Sequence, residues 1–320
     1  MTHGVHRDQR LFTTGVTALA PATWGTTYLV ATEWLPPDRP LLAATVRALP
    51  AGLILLAFAR TVPRGIWLWR SLVLGTLNIG AFFFLLFVAT FHLPGGIIAV
   101  IMSMQPMFVL VLAALLIGDE IRLEHMVACV LGAGGAILLV FKGAVVLDSV
   151  GVVAALSGAV CMAAGITLTK RWGRPDGVGL LPFTGWQLVA GGLVLLPFLL
   201  FVEGLPNSIT GINIVGFAYF ISMGAVISYA IWFHGIERLP ALSVSFLSLG
   251  SPIVATLLGY LFLHQTLSIL QLVGILVIIG AALLAQPRSV NLRRPRSPAV
   301  DSGSGATAEP APSTVEGRIP

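Results

Sequence analysis

Long apolar runs, separated by short polar interruptions, fill most of this chain. They fall at 12–32, 40–59, 71–91, 95–117, 124–141, 150–169, 181–201, 214–234, 241–263 and 268–285. Runs of about 20 residues match a helix crossing a hydrocarbon core of roughly 30 Å. Inside that core backbone groups must bond to one another, so each run is predicted to be a helix. The expected fold class is an all-α membrane protein of ten transmembrane helices. The interruptions are rich in Pro, Gly and charge, as in Pro36-Pro37-Asp38-Arg39 and the stretch from Arg171 to Gly177. After Gln286 the chain turns to Pro, Ser, Ala and Arg, and 287–320 is expected to be a disordered tail.

Composition agrees with a lipid solvent. Of the 320 residues 57% are hydrophobic and 10% charged, against about 25% charged in soluble domains. The net charge of +5 belongs to loops and tail, and no basic-aromatic interleaving suggests nucleic acid. Cys129 and Cys161 lie inside apolar runs and read as packing residues. No metal-ligand spacing and no cofactor motif is present. Met1 to Arg10 is polar and the run behind it is long enough to span, so a retained first helix is expected rather than a cleaved signal.

Lys and Arg give an orientation. With the N-terminus inside, the cytoplasmic segments hold nearly all of them, including Arg60, Arg64, Arg70, Arg122, Lys170, Arg171, Arg174 and Arg238, while the outer loops hold Arg39 and Lys142. The positive-inside rule then places both termini in the cytoplasm of a multi-pass cell-membrane protein.

The two halves resemble each other. At an offset of 146, Leu93-Pro94 falls on Leu239-Pro240, Pro106 on Pro252, Asp119 on Gln265, Gly134 on Gly280 and Phe83 on Tyr229. At an offset of 140, Gly25 falls on Gly165 and Arg47 on Gln187. Five spans is an odd number, so the second copy enters the membrane inverted. Inverted repeats underlie alternating access, with a substrate site near the midplane where they meet. The expected division is 1–145, 146–286 and the tail 287–320.

Several motifs resemble the drug/metabolite transporter superfamily, in particular its EamA-like exporters. They are Trp24-Gly25-Thr26-Thr27-Tyr28, the intramembrane Arg47, and Gln105-Pro106 running to Leu116-Ile117-Gly118-Asp119-Glu120. Pro252, Gln265-Thr266-Leu267, Gln271 and Gly274 look like the second copy. Gln265 departs from the family's usual Glu, and Gly165 lacks the preceding Trp. The resemblance covers about 12–285. It implies a ten-helix inner-membrane carrier, usually exporting amino acids, metabolites or drugs, and not an enzyme. A passive facilitator and a non-transporting scaffold are the alternatives, and a homodimer is left open.

The polar residues within spans are the candidates for chemistry. Every Asp and Glu lies in a loop, a tail or at a run's edge, so no buried carboxylate relay is evident. Arg47 sits near the centre of the second run. A permanently charged guanidinium there costs roughly 2.5–3.5 kcal/mol on insertion scales. It either lines a cavity and attracts a carboxylate or phosphate, or is satisfied by neighbouring helices, or snorkels. Gln105, Gln187 and Gln271 follow. Pro106 and Pro252 mark helix kinks that free carbonyls. Trp24, Tyr28 and Tyr229 are read as cavity lining with Arg47, Gln105 and Gln187. Trp232 is read as an interfacial anchor, as are Trp67, Trp69 and Trp172. Glycine pairs such as Gly134-Gly135 and Gly191-Gly192 suggest close helix packing.

Overall fold

The computed structural model describes residues 2–93, 95–140, 148–262 and 268–285. Pro94, Lys142, Gln265, Thr266, Leu267, the boundaries at 145 and 286, and the tail 287–320 lie outside the described residues, as does the side chain of Tyr28. Among the described residues every regular element is helical. Helix α1 runs Thr2–Trp34 and α2 Pro40–Ala59. Helix α3, Ile66–Gly75, continues through a π-helical turn, Thr76–Gly80, into α4, Ala81–His92. Helices α5 (Gly95–Met102) and α6 (Gln105–Ile117) form one broken span, followed by α7, Leu123–Val140.

The described helices between Ser149 and Leu284 follow a similar order. Helix α8 is Ser149–Trp172, and α9, Leu180–Phe198, ends in the π turn Leu199–Glu203. Helix α10 (Gly211–Ile221), the π turn Ser222–Ile227 and α11 (Ser228–Arg238) are continuous. Helices α12 (Ala241–Leu247) and α13 (Gly250–Phe262) form a second broken span, and α14 is Ile269–Leu284.

Seven helices among the described residues are long and apolar enough to cross a membrane: Pro40–Ala59, Ile66–His92, Ile97–Ile117, Ser149–Trp172, Leu180–Glu203, Gly211–Arg238 and Ala241–Phe262. Leu123–Leu139 and Ile269–Leu284 are shorter apolar helices. The first helix has ample length, but its apolar positions are diluted by eight threonines.

Glycines set the packing. Without a hydrophobic force between helices in lipid, close backbone approach carries the association. A methyl on Gly52 would meet Val189 N at 2.6 Å, and one on Gly192 would meet Leu49 Cβ at 2.7 Å, so α2 and α9 touch backbone to backbone. Gly135 and Gly274 do the same for α7 and α14, each facing the other's carbonyl oxygen. Helix α8 packs on α4 and α6, and α1 packs on α11 and α13. Helix α9 packs on α3, and α2 on α10.

The proline positions look different from the sequence expectation. Pro106 and Pro252 do not kink continuous helices. They lie in the first turns of α6 and α13, behind the breaks at Ser103-Met104 and Ser248-Leu249. A missing N–H is harmless in a first turn, which is why proline is tolerated there. Pro21, Pro50 and Pro197 are the prolines inside helices. Gln271 is a capping residue rather than a mid-span one. Its Oε1 accepts from Ser268 N at 2.9 Å and its own N–H donates to Ser268 Oγ at 3.2 Å.

Candidate functional site

Several aromatic side chains gather on Arg47. It projects from the second turn of α2, and its guanidinium meets three aromatic rings contributed by other helices. The Cζ lies 4.6 Å from the Phe83 ring centroid, 5.6 Å from Tyr229 and 6.0 Å from Trp24. Each such contact is worth about 0.5–2 kcal/mol, more where water is excluded. Its Nη2 donates to Tyr229 Oη at 3.3 Å. Its Nε is buried without a hydrogen-bond partner, and among the described residues no carboxylate pairs with it. The rings therefore disperse the charge without neutralising it, which leaves capacity for an anion.

The surrounding residues hold this arrangement. Trp24 packs on Tyr229 at 5.2 Å and edge-on against Trp232 at 5.1 Å, and its Nε1 donates to Gly224 O at 3.2 Å. Gly224 lies in the π turn Ser222–Ile227, and a methyl there would stand 3.7 Å from Arg47 Cδ. Tyr229 stacks on Phe233, which meets Phe183, which meets Trp67. This ladder leads away from Arg47 toward the end of the molecule that carries Arg70 and Trp172. Trp232 is 1% exposed. The expectation of an interfacial anchor is corrected: its indole is sealed between α1 and the core because Trp24 occupies its open edge.

Gln187 lies in a different cluster. Its Oε1 accepts from Asn78 Nδ2 at 3.0 Å, and the same Nδ2 contacts Thr169 Oγ1 at 3.2 Å. All three are buried, and Asn78 Oδ1 and Gln187 Nε2 remain unpartnered. Gly165 makes this cluster fit, since a methyl there would fall 2.2 Å from Asn78 Oδ1. Gln105 is equally buried. Its Oε1 faces Ser248 Oγ at 3.5 Å, so the breaks of the two discontinuous spans touch, while its Nε2 has no partner. Of the residues expected to share one cavity, the structure thus joins Arg47, Trp24 and Tyr229. Gln187 and Gln105 stand in separate polar clusters.

A cavity of about 610 Å³ opens elsewhere, at the turn between α8 and α9, lined by Thr169, Lys170, Arg174, Asp176 and Glu237. Lys170 Nζ donates to Glu237 O at 2.8 Å, and Arg174 pairs with the Glu237 carboxylate at 3.0 Å. No group of three or more His, Cys, Asp or Glu suited to a metal occurs among the described residues.

Sequence reasoning missed Asn78, Thr169 and Gly224. Asn78 and Thr169 are ordinary polar residues in isolation, and only the fold brings them to Gln187. Phe83 was visible as the counterpart of Tyr229 at the offset of 146, and both rings do cover Arg47.

Comparison with known proteins agrees with this architecture. The chain is 47% identical over 275 residues to Protein PecM of Dickeya dadantii, covering 86% of this chain and 92% of that protein. It is 32% identical to the WAT1-related protein At3g02690, chloroplastic, of Arabidopsis thaliana, over 82% of this chain and 66% of that one. It is 30% identical to the uncharacterized inner membrane transporter YedA of Escherichia coli K12, over 82% and 86%. A solved crystal structure superposes with a TM-score of 0.72 at 21% identity, covering 85% of this chain and 96% of the other, so the fold is shared. The EamA-like transporter family matches twice, over residues 13–141 and again over 149–285. The chain therefore belongs to the EamA-like transporter family, as a multi-pass membrane transporter and not an enzyme.

Proposed function

We propose that this protein exports small metabolites, amino acids or drugs across the cytoplasmic membrane by alternating access between two inverted five-helix halves. Arg47 is the residue that draws in an anionic substrate. The observation that carries the reading is the unneutralised Arg47 guanidinium, ringed by Trp24, Phe83 and Tyr229 from both halves of the chain. A charge held at a cost in lipid and left without a carboxylate is a binding device by default.

The packing pattern supports the inverted halves. Exchanging them turns α8 on α4 into α1 on α11, and α8 on α6 into α1 on α13, and both contacts of each pair exist. The two pairs of helices that exchange with each other, α2 with α9 and α7 with α14, pack together, as helices beside a two-fold axis do. Two of the three π turns begin at Thr76 and Ser222, at the same offset of 146 that relates Phe83 to Tyr229. The double family match points the same way.

The test is efflux from proteoliposomes loaded with glutamate or phenyl phosphate as anionic probes and lysine as the cationic control. Arg47→Ala is expected to lower anion efflux about ten- to a hundredfold, the loss of a charge-assisted bond worth about 1.5–3 kcal/mol. Unchanged efflux of every anion carried by the wild type removes Arg47 from the site. A second reading, facilitated diffusion of the same substrates, is favoured by the carboxylates, none of which pairs with Arg47 among the described residues. Accumulation against a gradient, measured with and without a proton gradient, separates the two.

A further inference from the structure

The start of α2 is capped from the other half of the chain. Its N-cap residue, Arg39, makes no side-chain cap bond, and Pro40 at the first position has no N–H to satisfy. Ala43 N bonds to Arg39 O at 3.1 Å. Two free donors remain in that turn, Leu41 N and Leu42 N. Both go to one carboxylate, Glu203, at 2.7 and 2.8 Å. Arg39 returns the grip, its Nη1 donating to Glu203 O at 2.8 Å and Gly204 O at 2.9 Å. Glu203 closes the π turn at the end of α9, so the bonds join the beginning of α2 to the end of α9.

The other ends of the same two helices are joined as well. Trp186, in the second turn of α9, donates its Nε1 to Thr61 O, just past the end of α2, at 2.7 Å. Between the staples, Gly52, Gly185 and Gly192 bring the backbones into contact, and a methyl on Gly185 would meet Leu55 Cβ at 3.0 Å. Neither helix can slide or tilt on the other without breaking a terminal staple or driving a side chain into backbone.

We infer that α2 and α9 remain locked as one body throughout transport and that Glu203 is the positioning residue that holds Arg47 in register from the opposite half. Arg47 lies within two turns of the capped end. A negative charge on the first turn also complements the helix dipole. Alternation then belongs to the helices around this pair, and the guanidinium stays fixed while its aromatic partners on α1, α4 and α11 rearrange. The consequence for Arg47 rests on the carrier reading, whereas the lock itself does not.

The experiment is pulsed electron spin resonance on full-length protein in liposomes. Spin labels are attached at Phe58→Cys on α2 and Phe201→Cys beyond α9, both exposed positions, in a Cys129→Ala, Cys161→Ala background. One narrow distance peak is expected, unchanged by phenyl phosphate or glutamate. Glu203→Ala is expected to broaden it, and Glu203→Gln, which keeps one acceptor oxygen, to fall between. Two peaks whose weights differ between conditions, or a Glu203→Ala trace superimposing on the wild type, overturn the inference. Efflux from the same liposomes keeps the readings apart. A locked pair in a protein that carries neither probe counts against Arg47 as an anion site, and the Glu203→Ala trace then decides the lock. A shifting distance in a protein that carries one counts against the lock alone.

Discussion

Arg47 and Tyr229 form the contact on which the site's geometry turns. Their bond is 3.3 Å long, a modest neutral-to-charged hydrogen bond worth about 1.5 kcal/mol or less. Tyr229→Phe keeps the ring against the guanidinium and removes only the hydroxyl. The expected result is a rise in apparent KM for anionic probes of about tenfold or less, with the fold intact. Gly165 makes the second residue-scale prediction. Asn78 is tied to Gln187 and Thr169 and cannot step aside from a methyl placed 2.2 Å from its Oδ1. Gly165→Ala should destabilise by about 1–3 kcal/mol, seen as a lower melting temperature in detergent. Gly158→Ala, whose methyl would meet nothing nearer than 3.7 Å, should melt like the wild type. Arg47 was legible in the sequence because a charge inside an apolar run is costly and stands out, whichever role it serves. Asn78 was not, because its meaning depends on a glycine and a glutamine that lie far along the chain.

Helix ends decide how the elements are pinned. Asp148 caps α8, its Oδ1 accepting from Val150 N at 2.8 Å and Gly151 N at 3.1 Å, and it pairs with His92 at 3.3 Å. The Gly151 N–H is the chief influence holding its carboxyl below the ordinary range, against partial desolvation and with help from Val150 and His92. A carboxyl with a lowered folded-state pKa stabilises the fold above its unfolded value, and the gain is lost as pH falls through the lowered one. Asp148→Asn should therefore melt below the wild type at neutral pH, and the gap should close as the pH is taken beneath the usual carboxylate range. The breaks at Ser103-Met104 and Ser248-Leu249 were only half legible. The prolines announced irregular helix geometry, but a proline alone does not tell a kink from a fresh helix start. The neighbouring backbone bonds decide that, as where Ser103 N reaches back to Ala99 O and Met107 N to Met104 O.

At the scale of the whole molecule, hydropathy outlined the helices because lipid requires each span to satisfy its own backbone. The runs at 71–91 and 214–234 extend in the structure to Ile66–His92 and Gly211–Arg238. Composition blurs at the rims, where basic and aromatic side chains continue a helix beyond its apolar part. The π turns at Thr76–Gly80 and Ser222–Ile227 left no trace in hydropathy, since one added residue per turn changes no residue type. The offset of 146 was the informative signal. It related residues far apart in sequence that now stand on the same guanidinium.

The central claim is that two oppositely inserted halves meet around Arg47. Reporter fusions made at the N-terminus, after Val145 and after Gln286 test it most directly. The account predicts that the first and third report from the cytoplasm and the second from the outer face. A first and third fusion reporting from opposite faces would contradict it, because one of the halves would then lack its fifth crossing.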